Sequence, residues 1–327
     1  REGVPFLIPG GEEAFERLAI SCSLYIENEK ERLASLKDRA NELTRKKSER
    51  HIEARVKQIT RLKKILGSFY KEETRPGPKP INPYEELLFR DWCWETIEIK
   101  EYKGYLSPLS SKGDHLFLGA GACGLSYQFA SECSKGDVLA ADINPFLMLA
   151  AHKILNGKSL KVSDTPHFPM SLDKVANSYN ISPQPKLSNH HQVFADFTEL
   201  PFKEGSFDHI NATWFLDVIK PDLSESLKNI IYFLKEEGSF TYIGPSNFHK
   251  SDLSNSYIKE EILQVVQEHF HTVSHEEKSL FYLDSGYNSQ KRLEQVLFIT
   301  AEKPKKELGK KMSFNSPATF KLDEKLK

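Results

Sequence analysis

The segment His115-Leu116-Phe117-Leu118-Gly119-Ala120-Gly121-Ala122-Cys123-Gly124 constrains this chain more than any other, because an apolar run enters a glycine-rich turn and leaves it into a helical pattern. In such a turn the first glycine permits the tight bend, the second lets backbone approach a ligand, and the third lets a helix pack on a strand. The spacing predicts the opening unit of a parallel α/β sheet, with a nucleotide-like cofactor lying against the turn.

From Asp114 onward, short apolar runs alternate with amphipathic stretches, the pattern of a doubly wound α/β domain. Strands are expected near residues 115–118, 137–142, 192–196, 207–213, 238–243, 270–278 and 294–302. No helical pattern joins the last two, so a closing antiparallel strand is expected in a mostly parallel sheet. The stretch 157–191 contains Pro166, Pro169, Pro183 and Pro185 and exceeds an ordinary connection. It reads as a lid or a helical insertion beside the substrate.

Upstream, no glycine or proline interrupts the chain from Glu12 to Leu66. Apolar residues recur at helical spacing as Leu33, Leu36, Ala40 and Leu43, then as Ile52, Val56, Ile59, Leu62 and Leu66, which predicts two or more long helices, with a hairpin as one arrangement. The run Arg75-Pro76-Gly77-Pro78-Lys79-Pro80 marks a connection, and a third helix is expected from about Asn82-Pro83. The organisation predicted is a helical region 1–75, an α/β domain 82–304 with the insertion 157–191, and a polar lysine-rich tail 305–327.

Composition narrows the class. With 39% hydrophobic and 28% charged residues and no run of ~18 apolar ones, the chain reads as a soluble protein without a membrane span. Arg1 opens no charged-then-apolar signal, so a cytoplasmic location is expected. Cys22, Cys93, Cys123 and Cys133 lack paired spacing, so neither a metal site nor a disulfide framework is expected. Asn211-Ala212-Thr213 fits the glycosylation sequon inside an apolar strand and reads as chance. Between Arg45 and Lys64 nine Lys/Arg face only Glu49 and Glu53. A solvated helix face is the expectation, since no aromatic residues interleave for base stacking. Nucleic acid is therefore not the expected partner, and homodimer or partner contact through these helices stays open.

Asp142, ending the second strand, can accept the ribose hydroxyls of NAD or of S-adenosylmethionine (SAM). The stretch Ala195-Asp196-Phe197-Thr198-Glu199-Leu200-Pro201-Phe202, followed by Ser206-Phe207-Asp208, resembles the D-x-x-x-L-P-F…S-F-D signature of class I SAM-dependent methyltransferases. Leu234-Lys235-Glu236-Glu237-Gly238 resembles the turn before their fifth strand. The resemblance implies a Rossmann-like fold, SAM as cofactor, S-adenosylhomocysteine as product, and an adenine contact for Asp196.

Phe89-Arg90-Asp91-Trp92, Phe117 to Gly121, Asp196-Phe197, Thr213-Trp214-Phe215-Leu216-Asp217 and Gly244-Pro245-Ser246-Asn247-Phe248-His249 are similar to the carnosine N-methyltransferase family over roughly residues 82 to 304. That resemblance implies that Arg90 reaches the SAM carboxylate, that Asp217 holds an imidazole, and that His249 and Tyr282 complete the acceptor pocket. With Gly119, Gly121, Asp142, Asp196, Phe197 and Thr213, Arg90 makes up the expected cofactor set. Leu87 stands where the family has a glutamine, and the family's tyrosine cluster falls on Lys291, Arg292, Leu293 and Glu294. The acceptor is therefore expected to be a small imidazole- or amine-containing molecule or peptide other than carnosine. Three other readings stay open: an RNA or protein methyltransferase docking through the basic helices, a SAM-binding assembly module without catalysis, and an NAD oxidoreductase.

Overall fold

In the computed structural model, residues 5–7, 11–35, 41–66, 84–111, 113–219, 222–249 and 256–303 are described. The chain begins with a short strand β1 (Phe6–Leu7) and two long helices, α1 (Gly11–Ser35) and α2 (Glu42–Ile65). Asn41 starts α2 by accepting the Thr44 N–H on its side chain at 2.8 Å, the usual cap for an otherwise unpartnered first-turn donor. Ile52, Ile59, Leu62 and Ile65 form the buried stripe of α2, and Ile59, Leu62 and Ile65, with Leu66 at its end, pack in one cluster with Ala19 and Cys22 of α1 and with the domain that follows. Each such aliphatic side chain contributes roughly 1.5–3 kcal/mol when buried, so a helix rich in lysine and arginine stays docked. Leu43 is exposed, and Leu36, Ala40 and the connection 75–80 lie outside the described residues.

Two short helices, α3 (Glu85–Trp92) and α4 (Ile97–Leu106), lead into the sheet. There follow β2 (His115–Leu118), α5 (Gly124–Glu132), β3 (Val138–Asp142), α6 (Pro145–Leu155), β4 (Leu160–Asp164), β5 (Asn177–Ile181) and β6 (His190–Ala195). The second half holds β7 (Phe207–Thr213), α7 (Leu223–Phe233), β8 (Leu234–Pro245), α8 (Lys259–His269), β9 (Thr272–Tyr282) and β10 (Arg292–Glu302). The main sheet runs β1-β6-β3-β2-β7-β8-β10-β9. Pairs from β1 to β8 are parallel, while β10 is antiparallel to both β8 and β9. This is the Rossmann-like class I methyltransferase arrangement, with one antiparallel strand inserted near the edge and helices on both faces.

Strand order reverses between β2 and β7: the chain walks outward through β3 and β6 on one side and through β8 on the other. In an open α/β sheet a ligand crevice forms at the carboxyl ends of the strands flanking such a reversal. The turns after β2 and β7 are therefore where the fold positions its site.

The seven expected strands are all present. Two features differ from the sequence-based expectation. β1, two residues long, pairs with β6 at the sheet edge and is too short to carry a period. The insertion 157–191 is neither helical nor unstructured: β4 and β5 form a separate antiparallel hairpin, with Leu160 and Val162 turned into the cluster that holds α2 and α6. The prolines that suggested a lid lie outside those strands. Asn211 is buried within β7, out of reach of glycosylation in the folded chain. Among the described residues no helix is long and apolar enough to cross a membrane.

Candidate active site

The glycine turn after β2 is built on left-handed backbone, with φ of +64° at Gly119 and +55° at Gly121, a region that glycine enters without steric cost. A Cβ on Gly119 would lie 2.7 Å from Cδ2 of Phe215, so this turn and the turn after β7 are in direct contact. Phe215 also meets the Phe197 ring edge-on, with centroids 5.2 Å apart. The ends of β2, β6 and β7 thus converge on one place, bringing together Gly119, Gly121, Phe197 and the segment after Thr213.

Asp142 closes one side. Its Oδ2 accepts the Gly121 N–H and its Oδ1 the Asn144 N–H, at 2.8 and 2.7 Å. A carboxylate has about four acceptor positions, so both oxygens keep capacity for hydroxyl donors. Burial pushes the carboxyl up to about 6, opposed by the backbone donors of Asn144, Gly121 and Ile143. Asp196 caps the single turn Phe197–Glu199, its Oδ1 accepting Thr198 N–H and Oγ1–H. At the end of β7 the Thr213 Oγ1 is buried with no hydrogen-bond partner among the described residues, as expected of a polar atom waiting for a ligand. Glycines that keep the turn open, a carboxylate with spare acceptor capacity and an orphaned hydroxyl fit an adenosine-type cofactor.

Helix α3 covers the glycine turn from the N-terminal side. A Cβ on Gly121 would sit 3.6 Å from Leu87 Cδ1, so the leucine at the departure position borders the glycine turn. Arg90 follows one turn later and is buried. Its Nε and one terminal nitrogen meet Asp91 Oδ1, both at 2.9 Å, and the other terminal nitrogen meets Glu98 Oε1 at 3.2 Å. Burial works against this cation, but Asp91 and Glu98 outweigh it and hold the guanidinium firmly protonated. These contacts use three of its five N–H donors.

Beside the glycine turn, the turn after β7 meets the end of β9. Trp214 has φ +51°, a costly conformation for a bulky residue. It is held by three contacts: its N–H donates to Ile243 O at 2.7 Å, its indole N–H donates to the Tyr102 hydroxyl at 2.6 Å, and its ring stacks on Tyr282 with centroids 3.8 Å apart. The Arg292 guanidinium lies over the Tyr282 ring, 5.0 Å from its centroid, and pairs with Glu294. Lys291 pairs with Asp284 and sits over the Phe281 ring. Asp217 is half-buried. Burial raises the Tyr242 and Tyr282 phenols, and the nearby Asp217 carboxylate raises them further. The Arg90 guanidinium works against the rise at Tyr282. His249 is exposed on the loop leaving β8.

Glu98 and Tyr102 were not singled out by sequence. Glu98 takes the Leu283 N–H on its Oε2 at 2.8 Å, tying α4 to the end of β9 just beyond Tyr282. No motif marks either residue, because their partners come from distant segments. Among the described residues no group of three His, Cys, Asp or Glu side chains is placed to hold a metal ion.

Residues 116–242 match the family model for a methyltransferase domain. Among solved structures, the chain is similar to a SAM-dependent methyltransferase from Aquifex aeolicus at 12% identity, covering 68% of this chain and 100% of that one, with a TM-score of 0.43. A SAM-dependent methyltransferase from Methanosarcina mazei shares 14% identity over 60% of this chain and 95% of its own, with a TM-score of 0.43. A Haemonchus contortus phosphoethanolamine N-methyltransferase, solved with phosphomonomethylethanolamine and S-adenosylhomocysteine, shares 16% identity over 71% of this chain and 62% of its own, also with a TM-score of 0.43. No curated protein matches the chain. The family match, taken with the strand order and the crevice, makes residues 116–242 a SAM-dependent methyltransferase domain, and SAM is its cofactor.

Proposed function

We propose that this protein is an N-methyltransferase acting on a small imidazole- or amine-containing molecule or peptide that also carries an acidic group. The observation that carries the reading is the half-buried Asp217 carboxylate on the turn after β7, the turn whose Phe215 abuts the glycine loop at Gly119 and whose Trp214 stacks on Tyr282. The resemblance of this turn to the carnosine N-methyltransferase family supports it.

In this reading Gly119 and Gly121 admit the cofactor, Asp142 takes its ribose hydroxyls, Asp196 its adenine amino group, and Phe197 and Thr213 line the same pocket. Arg90 binds the cofactor carboxylate with the donors left by Asp91 and Glu98. SAM, when bound, supplies a methyl group already activated on sulfonium, so the protein's work is geometry and charge. A neutral imidazole nitrogen is a competent nucleophile near pH 7. Asp217, accepting the other ring N–H, fixes the tautomer and stabilises the positive charge that forms on transfer. Tyr282 and His249 are assigned to the acceptor, Tyr282 through its ring and His249 from the loop after β8. The catalytic unit spans residues 82–304, with α1 and α2 packed against it.

The departure from a carnosine pocket lies in the charged residues around the Trp214–Tyr282 stack. Arg292 covers the stack with a guanidinium, a group suited to a carboxylate on the acceptor. Incubation with labelled SAM and a panel of carnosine, charged histidine dipeptides, free histidine and amines, with mass analysis of products, tests this. The expected result is a methylated product from a charged histidine-containing molecule and little from carnosine. Efficient carnosine methylation refutes the altered acceptor, and methylation confined to oxygen or carbon acceptors refutes N-transfer.

A further inference from the structure

Between α2 and the β4–β5 hairpin lies a cavity of about 440 Å³ that shares no lining residue with the crevice described above. Four cationic side chains line it, Arg50, Lys57 and Arg61 from α2 and Lys161 from β4, against the single carboxylate of Glu53. The hydroxyls of Ser163 and Ser178 complete the polar wall.

Two of the cations are already oriented. Arg50 donates to the Leu172 carbonyl at 2.9 Å and Arg61 to Ser163 Oγ at 3.0 Å, each spending one donor of five. The wholly buried Gln58 accepts the Ser163 N–H at 2.9 Å, which pins β4 to α2 and fixes the width of the groove. Its volume falls within the range of small-ligand sites. No aromatic residue lines it, so no surface is offered for a base to stack on. Guanidinium forks and ammonium groups around serine hydroxyls form a donor set that suits phosphate oxygens.

We propose that this groove is a binding site for a phosphate-bearing small ligand, held through a di- or triphosphate group. Strand alternation places Lys161 and Ser163 on the groove side, paired with Asn180 and Ser178. Asp164 faces the other way and accepts the Trp94 indole N–H and the Ser285 hydroxyl, both at 3.3 Å. A bound anion would clamp α2 to an element whose opposite face supports the segment after β9.

Calorimetric titration of the full chain with inorganic pyrophosphate tests the site, with single-stranded RNA in a parallel arm. The wild type is expected to bind pyrophosphate, more weakly as salt rises. The double variant Lys57→Gln/Lys161→Gln, altered at two exposed positions, is expected to bind it at least about tenfold more weakly, and Arg61→Gln likewise. SAM affinity should be unchanged in both, which separates this result from the methyl-transfer reading. Absence of pyrophosphate binding in the wild type overturns the proposal, as does equal affinity in wild type and variants. RNA binding that the variants weaken, without pyrophosphate binding, assigns the groove to a nucleic-acid backbone and also overturns it.

Discussion

The Asp91 carboxylate accepts the Gly124 backbone N–H at 2.9 Å, so α3 caps the helix that follows the glycine turn. Cys123, preceding α5, has φ +61° and offers no side-chain cap, leaving first-turn donors that need an outside partner. A Cβ on Gly124 would fall 2.5 Å from Asp91 Cβ. Gly124→Ala is therefore expected to push α3 away and cost about 1–3 kcal/mol. Because Leu87 on the same helix borders Gly121, SAM affinity should fall with it. A urea unfolding midpoint and a SAM titration both at wild-type values would contradict this packing.

Arg90 makes a sharper case. Removing its side chain leaves Asp91 and Glu98 buried without their cation, a loss of roughly 3–5 kcal/mol for a broken buried pair. Arg90→Ala should unfold at clearly lower urea. Arg90→Lys keeps the charge but not the fork and should fall between, with weakened SAM binding in the folded protein. Equal midpoints for all three proteins would show that the ion pairs are not formed in solution.

The pH dependence of cofactor binding follows from Asp142, whose carboxyl burial raises to about 6. Only the ionised form is a strong acceptor for ribose hydroxyls, so SAM affinity should be full above about pH 7 and fall as pH drops through 6. Near pH 5 the expected loss is about tenfold, one decade per unit. Folding has the opposite sign. An acid whose folded value lies above its unfolded one costs stability when ionised, a cost present above about 6 and relieved as pH falls toward the unfolded value. Asp142→Asn should flatten the binding profile. Asp164 is also raised to about 6 by burial, so a slope that survives in Asp142→Asn points to Asp164 instead.

Asp217→Asn preserves shape and removes charge. SAM affinity should stay at the wild-type value while turnover falls by ~10²-fold or more, the scale for losing an orienting, charge-stabilising group. Single-turnover kinetics on the methylated acceptor found in the panel decide it, and near-normal turnover would remove Asp217 from the proposed chemistry.

Much of the sheet was legible because the strands from β2 to β8 in it carry apolar runs bounded by turn residues, and because Gly119 and Gly121 mark the turn after β2. Asp142 and Asp196 were legible because strand ends at a crevice have fixed positions. The β4–β5 hairpin was not, since the prolines around its short strands dominate the local pattern. The partners of Arg90 were also hidden: Asp91 is adjacent, but Glu98 reaches it only through the bend between α3 and α4. Trp214 was visible as a motif residue, yet its left-handed backbone depends on Tyr102 and Tyr282 from distant segments. The basic α2 read as a solvated face. Part of it is instead engaged with the hairpin and with Tyr25 and Glu85.

SAM is expected to bind in the crevice between the Gly119 and Trp214 turns, with Asp142 holding its ribose. Isothermal titration of SAM into the wild-type chain and into Asp142→Ala at neutral pH measures this directly, with circular dichroism showing that both are folded. One-to-one binding is expected in the wild type, with an affinity at least about tenfold lower, or ~1.4 kcal/mol, in the variant. No binding in the wild type, or the same affinity in both folded proteins, would contradict it.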